Sequence, residues 1–504
     1  MNRTKIAAAL LCLSLPVAAQ AMEFQTPGTL GMGRAGVART TDAYATFINP
    51  AGLAFYDKAF SMRLGAGAGL AVSSSLADNL DKVDKLDLNT NNMTYAAGAS
   101  ASEVAAATVK AAQFAGILKE LDEKKGNLGV NVDLLLGFQY RNYGLGINVM
   151  SEVGAGIGAV DLINIRAGNA TAPTTVSQLA TQIGAGPSTG VATYFSQADY
   201  NNIVTALVNT GTGTLAQAQS LVSKLETELK SSGGNTTGLT PAQIAQGLQV
   251  IAPSLSNSAS AGASIDNNTT KVLLRGIAIA EIPLAYGYKF ELGKFGKLGI
   301  GGAAKIMQGT VYSSDVEVMQ LKDSSDTIDK VKDNHTESIQ FGLDLGALWR
   351  MEDVQFIGPV NVGLALKNLN TPKFDGPVGY DKIKVEPQAR FGVALDPLSW
   401  LSIAADMDLT KNKTVIPGRE SQLIGGGLEV HFDYWYALYL ALRAGAYKNI
   451  GETGSKPVIT AGLSLGPKWL RLDVNGAVAT EKGTYDNKSV PLEGKVEFGL
   501  STMF

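Results

Sequence analysis

The chain ends on a run in which Leu492, Val496, Phe498, Leu500 and Phe504 fall on one face of an extended strand, while Glu493, Lys495, Glu497, Gly499 and Ser501 fall on the other. Such a strand divides an apolar phase from a wet one. The same period of two recurs upstream. Ile339, Phe341, Leu343, Leu345, Ala347 and Trp349 alternate with Gln340, Gly342, Asp344, Gly346 and Arg350. The segment from Leu128 to Tyr140 alternates with Asn131, Asp133, Gly137 and Gln139. Leu401, Ile403, Ala405, Met407 and Leu409 oppose Asp406 and Asp408, and Leu470, Leu472, Val474 and Val478 oppose Arg471, Asp473 and Asn475. Repeated amphipathic strands with charges on one face predict an all-β transmembrane barrel with a polar interior.

The amino end reads as an export signal over residues 1–21. Arg3 and Lys5 precede an apolar run from Ile6 to Ala19, and Ala19-Gln20-Ala21 forms a small-x-small cleavage site. The single cysteine, Cys12, lies inside that run, so the processed chain is expected to lack disulfides, dithiol chemistry and thiolate metal ligands. No later apolar stretch reaches the roughly 18 residues a spanning helix needs. The 57 glycines suit many strands and tight turns, and a formal charge of -3 gives no basic surface for nucleic acid.

Alternating segments begin near residues 60, 128, 143, 270, 298, 337, 358, 385, 400, 420, 438, 456, 469 and 492, giving about 14 antiparallel strands, the even number a bacterial barrel requires. With both ends periplasmic, the connections at Arg141 to Tyr143, Gly293 to Lys297, Asp396 to Ser399 and Gly466 to Lys468 become short periplasmic turns. Trp349, Trp400, Trp435 and Trp469 all fall beside such turns, joined by Tyr434, Tyr436 and Tyr439, as an interfacial belt should. The barrel is expected over 60–504, with helical inserts at about 76–126 and 160–268.

Both inserts carry helical stripes. Val104, Ala107, Ala111, Phe114, Leu118 and Leu121 form one, and Leu221, Leu225 and Leu229 another. Thr175 with Gln178, and Thr240-Pro241 with Gln243, read as capping boxes. The stripes either bury against one another as a cap or offer a hydrophobic ligand its first landing surface. Asp78, Asp81, Asp84 and Asp87 read as a solvated face, since a calcium loop would need its glycine and terminal glutamate. Before the first strand, Gly31-Met32-Gly33-Arg34-Ala35-Gly36 and Asn49-Pro50-Ala51-Gly52-Leu53 suggest a compact turn-rich segment inside the barrel, because no strand or lysine completes a phosphate loop.

That segment resembles the FadL and TodX family of outer-membrane transporters for fatty acids and aromatic hydrocarbons, whose hatch carries an Asn-Pro-Ala motif. Here the motif is Asn49-Pro50-Ala51, and the longer string through Leu53 is closer still to the branch of barrel proteins labelled TraF type, after plasmid transfer. The resemblance is specific over about residues 28–56 and otherwise one of architecture. It implies a hatch over 22–59, held by Gly31, Gly33, Gly36, Asn49, Pro50 and Ala51, and an exit through the barrel wall at a kinked third strand, for which Gly154, Gly156 and Gly158 are candidates. Close packing of the hatch against a glycine-lined wall is the alternative reading of those glycines.

The lumen charges read from the alternation are Asp344, Arg350, Asp406, Glu429, Arg443 and Arg471. Two histidines, His335 and His431, belong to no metal-spaced cluster, and His431 with Glu429 reads as part of the lumen charges rather than a hydrolase triad. The expectation is a non-enzymatic channel without cofactor or metal, taking up hydrophobic or amphipathic small molecules through a plugged barrel. The alternative is a non-transporting barrel serving conjugal transfer or surface assembly through an envelope protein partner. Outer-membrane lipid and lipopolysaccharide are expected neighbours, and Phe498, Leu500 and Phe504 resemble the terminal signal read by the barrel assembly machinery.

Overall fold

The computed structural model describes residues 23–504 except 87–94, 96–97, 168–172, 232–237, 257–264, 319–333, 353, 355–356, 435–437 and 486–487. The export signal, Asp87, Trp435 and Tyr436 therefore lie outside the described residues.

Fourteen strands close an antiparallel barrel. They are β1 (Phe60–Val72), β2 (Asn127–Tyr140), β3 (Tyr143–Ile157), β4 (Lys271–Glu291), β5 (Lys297–Glu317), β6 (His335–Met351) and β7 (Val360–Lys367). The circuit continues with β8 (Gln388–Leu398), β9 (Leu401–Asp408), β10 (Leu423–Tyr434), β11 (Leu438–Asn449), β12 (Val458–Gly466), β13 (Leu470–Ala479) and β14 (Glu493–Met503). Each strand pairs with the next, and β14 returns to β1 with Ser61 opposite Met503 and Ala71 opposite Glu493. Closure removes the free edges that a membrane would leave without hydrogen-bond partners.

The faces divide as the alternation predicts. Phe341 is 68% exposed, Leu284 62% and Phe498 54%, whereas Asp344, Asp406, Glu429 and Ser501 are buried inside. An apolar belt of this size on the outer wall is the surface of a lipid-embedded barrel. Among the described residues no helix is long and apolar enough to cross a membrane. Leu492 departs from the pattern: it is buried, with its Cδ2 beside Gly483 of the ribbon Lys482–Tyr485/Lys488–Pro491.

Short connections join the strands at the end holding both barrel termini, and long ones join them at the far end. Trp349, Trp400 and Trp469 all stand exposed at the near end, and the indole N–H of Trp349 donates to the Phe295 carbonyl at 2.7 Å. The barrel is lopsided: β4 and β5 pair over 21 residues each, while β7 and β9 have only 8. Consequently β6 pairs with β7 only from Leu345 to Met351, and in its far half the barrel ladder is with β5 only.

The two long inserts form a helical cap with its own core, built from helices Ser74–Leu86, Ala101–Lys124, Val176–Gln182, Gln197–Val208, Leu215–Ser231 and Pro241–Ile251. The apolar stripes meet: Phe114, Ile117 and Leu118 pack in one cluster with Leu221, Leu225, Ile244 and Leu248. Gly116 and Gly247 let helices Ala101–Lys124 and Pro241–Ile251 touch backbone to backbone, since a β-carbon on Gly247 would collide with the Ala112 carbonyl. Thr240 and Gln243 form a reciprocal capping box. Thr175 accepts from the Gln178 amide at 3.1 Å, but the Gln178 side chain instead takes the Thr174 amide at 3.1 Å.

Asp161 ties the two ends of the larger insert together. Its carboxylate accepts the N–H groups of Ile163, Asn164 and Thr269, each at 3.0 Å. Partial burial pushes its pKa up, but the hydrogen bonds from Asn164, Thr269 and Ile163 outweigh that and hold it at about 2.

Candidate lumenal site

Residues 24–55 fill the barrel. Phe24, Leu30, Met32, Ile48, Asn49, Ala51 and Leu53 are wholly or almost wholly buried. The Asn-Pro turn is locally determined: Asn49 caps the 3-10 helix Pro50–Phe55 by accepting the Ala51 N–H at 3.2 Å, and Pro50 begins that helix without needing a donor. The Asn49 amide donates across to the carbonyls of Val37 at 2.9 Å and of Ala347 on β6 at 3.1 Å. One side chain thus fixes the turn, the segment and the wall.

Further wall contacts hold the glycine-rich stretch. The Gly36 N–H donates to Asp406 on β9 at 2.8 Å, and the Gly33 N–H donates to Thr460 on β12 at 3.2 Å. Gly33 has φ of 62° and lies so close to the carbonyls of Gly426 and Ala446 that no side chain fits there. Gly31 packs against Gly462 and Asn475.

Several charge groups line the lumen, among them Arg34 with Glu23, Arg390 with Asp408 and Lys495 with Asp133, and two larger ones stand on opposite walls. On one side Arg39 reaches Glu429 at 3.0 Å, Glu429 reaches Arg443 at 2.5 Å, Arg443 reaches Asp473 at 3.2 Å, and Arg63 bridges Asp473 at 3.2 Å to Asp42. This chain alternates in sign from the amino-terminal segment through β10, β11, β13 and β1 and back to the segment. Arg471 is not part of it: its guanidinium lies over the Tyr439 ring, 3.5 Å from the centroid. Arg350 also stands apart, donating to Asn361 at 2.9 Å with Phe55 beneath it. His431 lies 3.8 Å from Glu429, and its Nδ1 has no hydrogen-bond partner among the described residues.

The second group lies on the opposite wall. Lys305 on β5 is paired with Glu281 at 3.1 Å and Asp344 at 3.0 Å. Lys367 donates to the Gln25 carbonyl at 3.1 Å and sits 4.5 Å from the Phe24 ring centroid. Above these charges the inner wall turns apolar, with Met150, Ile277, Ile279, Met307 and Val311 in one cluster. Sequence reasoning missed this cluster and the lysines at its foot, though Lys305 and Met307 share the inward phase of β5 and were open to the same alternation test. A cavity of about 20 Å³, room for one water, is lined by Glu281, Lys305 and Lys367 together with Met150, Ile279 and Met307.

Gly154 and Gly156 lie in unbroken ladders on both sides, opposite Gly129 and Asn127 of β2 and Arg275 and Leu273 of β4. Gly158 donates its N–H to the Lys271 carbonyl at 2.9 Å. Ile416 crowds Gly154, Pro417 crowds Gly156, and Leu273 crowds Gly158, so these glycines accommodate close neighbours. The β3–β4 ladder is interrupted lower down, at Gly146 and Ile147 opposite Ile282 and Pro283, where the proline has no N–H to give. At the seam, Phe504 exchanges backbone hydrogen bonds with Phe60 at 3.1 and 3.0 Å; Phe498 is exposed on the outer wall, and Leu500 shares its face.

Comparison with curated protein sequences gives no match. Among solved structures the chain is similar to the Ralstonia pickettii toluene transporter TbuX, with TM-score 0.40 and 10% identity over 96% of this chain and 99% of that one. It is similar to the P. putida toluene transporter TodX at TM-score 0.39 and 10% identity, covering 96% and 99%. A Pseudomonas aeruginosa FadL homologue gives TM-score 0.38 and 10% identity, covering 96% and 98%. Residues 46–408, well over half of the sequence, match the profile of the family described as "F plasmid transfer operon, TraF, protein". The segment that begins inside the lumen at Thr46 and runs through nine barrel strands to Asp408 thus carries the family's signature, and the chain belongs to the TraF family of the F plasmid transfer operon.

Proposed function

We propose that the protein is an outer-membrane channel that admits a hydrophobic or amphipathic small molecule from the capped, external end, through a lumen that rests closed. The observation that carries this reading is the apolar inner wall formed by Met150, Ile277, Ile279, Met307 and Val311 directly above Lys305 and Lys367. A barrel serving only as an anchor has no need of an apolar lumen, since polar side chains and water fill such an interior at lower desolvation cost. Residues 24–55 act as the plug, and exit follows their rearrangement or a parting of the wall at the interrupted β3–β4 ladder. The names of the structurally similar toluene transporters agree with such a cargo.

The test is uptake of labelled fatty acids and toluene by cells with and without the protein. Uptake that falls on deletion supports the reading; uptake unchanged for both, with mating or surface assembly impaired, replaces it with the second reading. That second reading takes the helical cap, with its separate core, as a docking platform for an envelope partner, and the family's description favours plasmid transfer as its setting.

A further inference from the structure

The connection between β7 and β8 sends Phe374 and Val385 into the barrel. It carries a short ribbon pairing Lys373–Phe374 with Ile383–Lys384, and its residues 371–384 are rich in charge, proline and glycine. Phe374 is nevertheless fully buried, in the cluster of Met150, Ile277, Ile279, Met307 and Val311, with Val385 beside it. Its ring lies flat against Gly309 of β5, where a β-carbon would stand well inside 3.0 Å of three ring atoms. A phenyl group therefore occupies the apolar chamber through which the proposed cargo must pass.

Outside the cluster, the hairpin is held at its tip and at its base. The Asp375 N–H donates to Ser338 at 3.1 Å, and Arg275 lies 4.9 Å from the centroid of the Tyr380 ring. At its base, Asn368 and Thr371 take left-handed backbone conformations with φ of 55° and 52°, and for a β-branched threonine that conformation is strained. The same base covers the unpaired edge of β6: Leu369 donates to the Leu343 carbonyl at 2.9 Å, and Asn370 donates to the Phe341 carbonyl at 2.7 Å. One movement would empty the chamber and uncover the wall.

We propose that this hairpin is an autoinhibitory gate in which Phe374 occupies the seat of an apolar ligand, so that ligand and Phe374 exclude each other. The use of the gate in uptake rests on the transport reading above; the mutual exclusion does not. The seat offers methionine sulfurs and aliphatic carbons, so the ligand that replaces the ring presents an uncharged, ring-sized apolar group. A site occupied by its own chain shows an apparent affinity lowered by the fraction of molecules that are closed.

The experiment uses the full chain in detergent with toluene as probe. Phe374→Ala is expected to bind toluene about tenfold more tightly than the wild type in saturation-transfer NMR, for a gate open about a tenth of the time. Toluene is expected to accelerate tryptic cleavage at Lys382 and Lys384 in the wild type. Gly309→Ala, which displaces the ring without shortening it, is expected to accelerate that cleavage without toluene, and it serves as the second variant if Phe374→Ala does not fold. A folded Phe374→Ala that binds no better than wild type overturns the gate, as does cleavage unchanged in Gly309→Ala. Tighter binding without any cellular uptake leaves the gate standing and removes the transport reading, whereas uptake with unchanged cleavage and binding does the reverse.

Discussion

Asp406 on β9 accepts the backbone N–H of Gly36 at 2.8 Å, and the same carboxylate oxygen accepts that of Val37 at 3.0 Å. A wall side chain thereby closes a two-amide nest on the segment that fills the lumen. Hydrogen bonds to a charged acceptor contribute roughly 1.5–3 kcal/mol each. Asp406→Ala is therefore expected to loosen the segment and produce open events in planar-bilayer recordings, with Asp406→Asn intermediate because its amide oxygen still accepts. Identical closed traces for all three would show that this contact does not hold the segment.

Arg443 sits between Glu429 and Asp473 in the alternating ion chain. Removing one partner of a buried pair strands the others, at about 3–5 kcal/mol. Arg443→Met should markedly lower the temperature at which the folded band converts on heated gels. Arg443→Met combined with Glu429→Gln should lose less than the two single losses added together, and strict additivity would contradict the coupling.

Asp161 makes the cap sensitive to acid. Its folded pKa of about 2 lies below the ordinary value near 3.9, so its stabilising contribution is complete above that range and is lost as pH falls toward 2. Hydrogen-exchange protection of residues 159–270, corrected for intrinsic rates, should drop between pH 5 and pH 2.5 in the wild type. Asp161→Asn should begin lower and change less; equal slopes would assign the acid response to other groups.

Phe504 closes the seam with Phe60, their ring centroids 6.4 Å apart. Phe504→Ala is expected to reduce the folded fraction in cells several-fold while leaving the unfolded precursor detectable. Normal folded levels would exclude a role for this residue in assembly.

The barrel was legible because lipid leaves a simple mark: every second residue from Ile339 to Trp349 is apolar, and the observed strands begin within three residues of the positions read from sequence. Which inward charges meet was not legible, since Arg443 and Arg471 have the same phase yet one joins an ion pair and the other covers Tyr439. Gly154 and Gly156 illustrate a second limit. Their lack of side chains is visible in the sequence, but whether a glycine marks a bend or a close neighbour depends on where Ile416 and Pro417 arrive from a distant loop. Phe374 was hidden for the same reason, as an aromatic among charges whose burial follows from the inward turn of its side chain.

The contacts that order the lumenal segment come from the far end of the polypeptide: Gly36 from Asp406, Gly33 from Thr460, Leu30 from Glu497. This amino-terminal segment is thus among the last to find its bonds, and it is tethered to β1, one side of the closing seam. A barrel halted before β9 would present a loose leader with no Asp406, Thr460 or Glu497 to receive it. Ordering of that segment therefore depends on side chains as far along the polypeptide as Glu497 on the last strand.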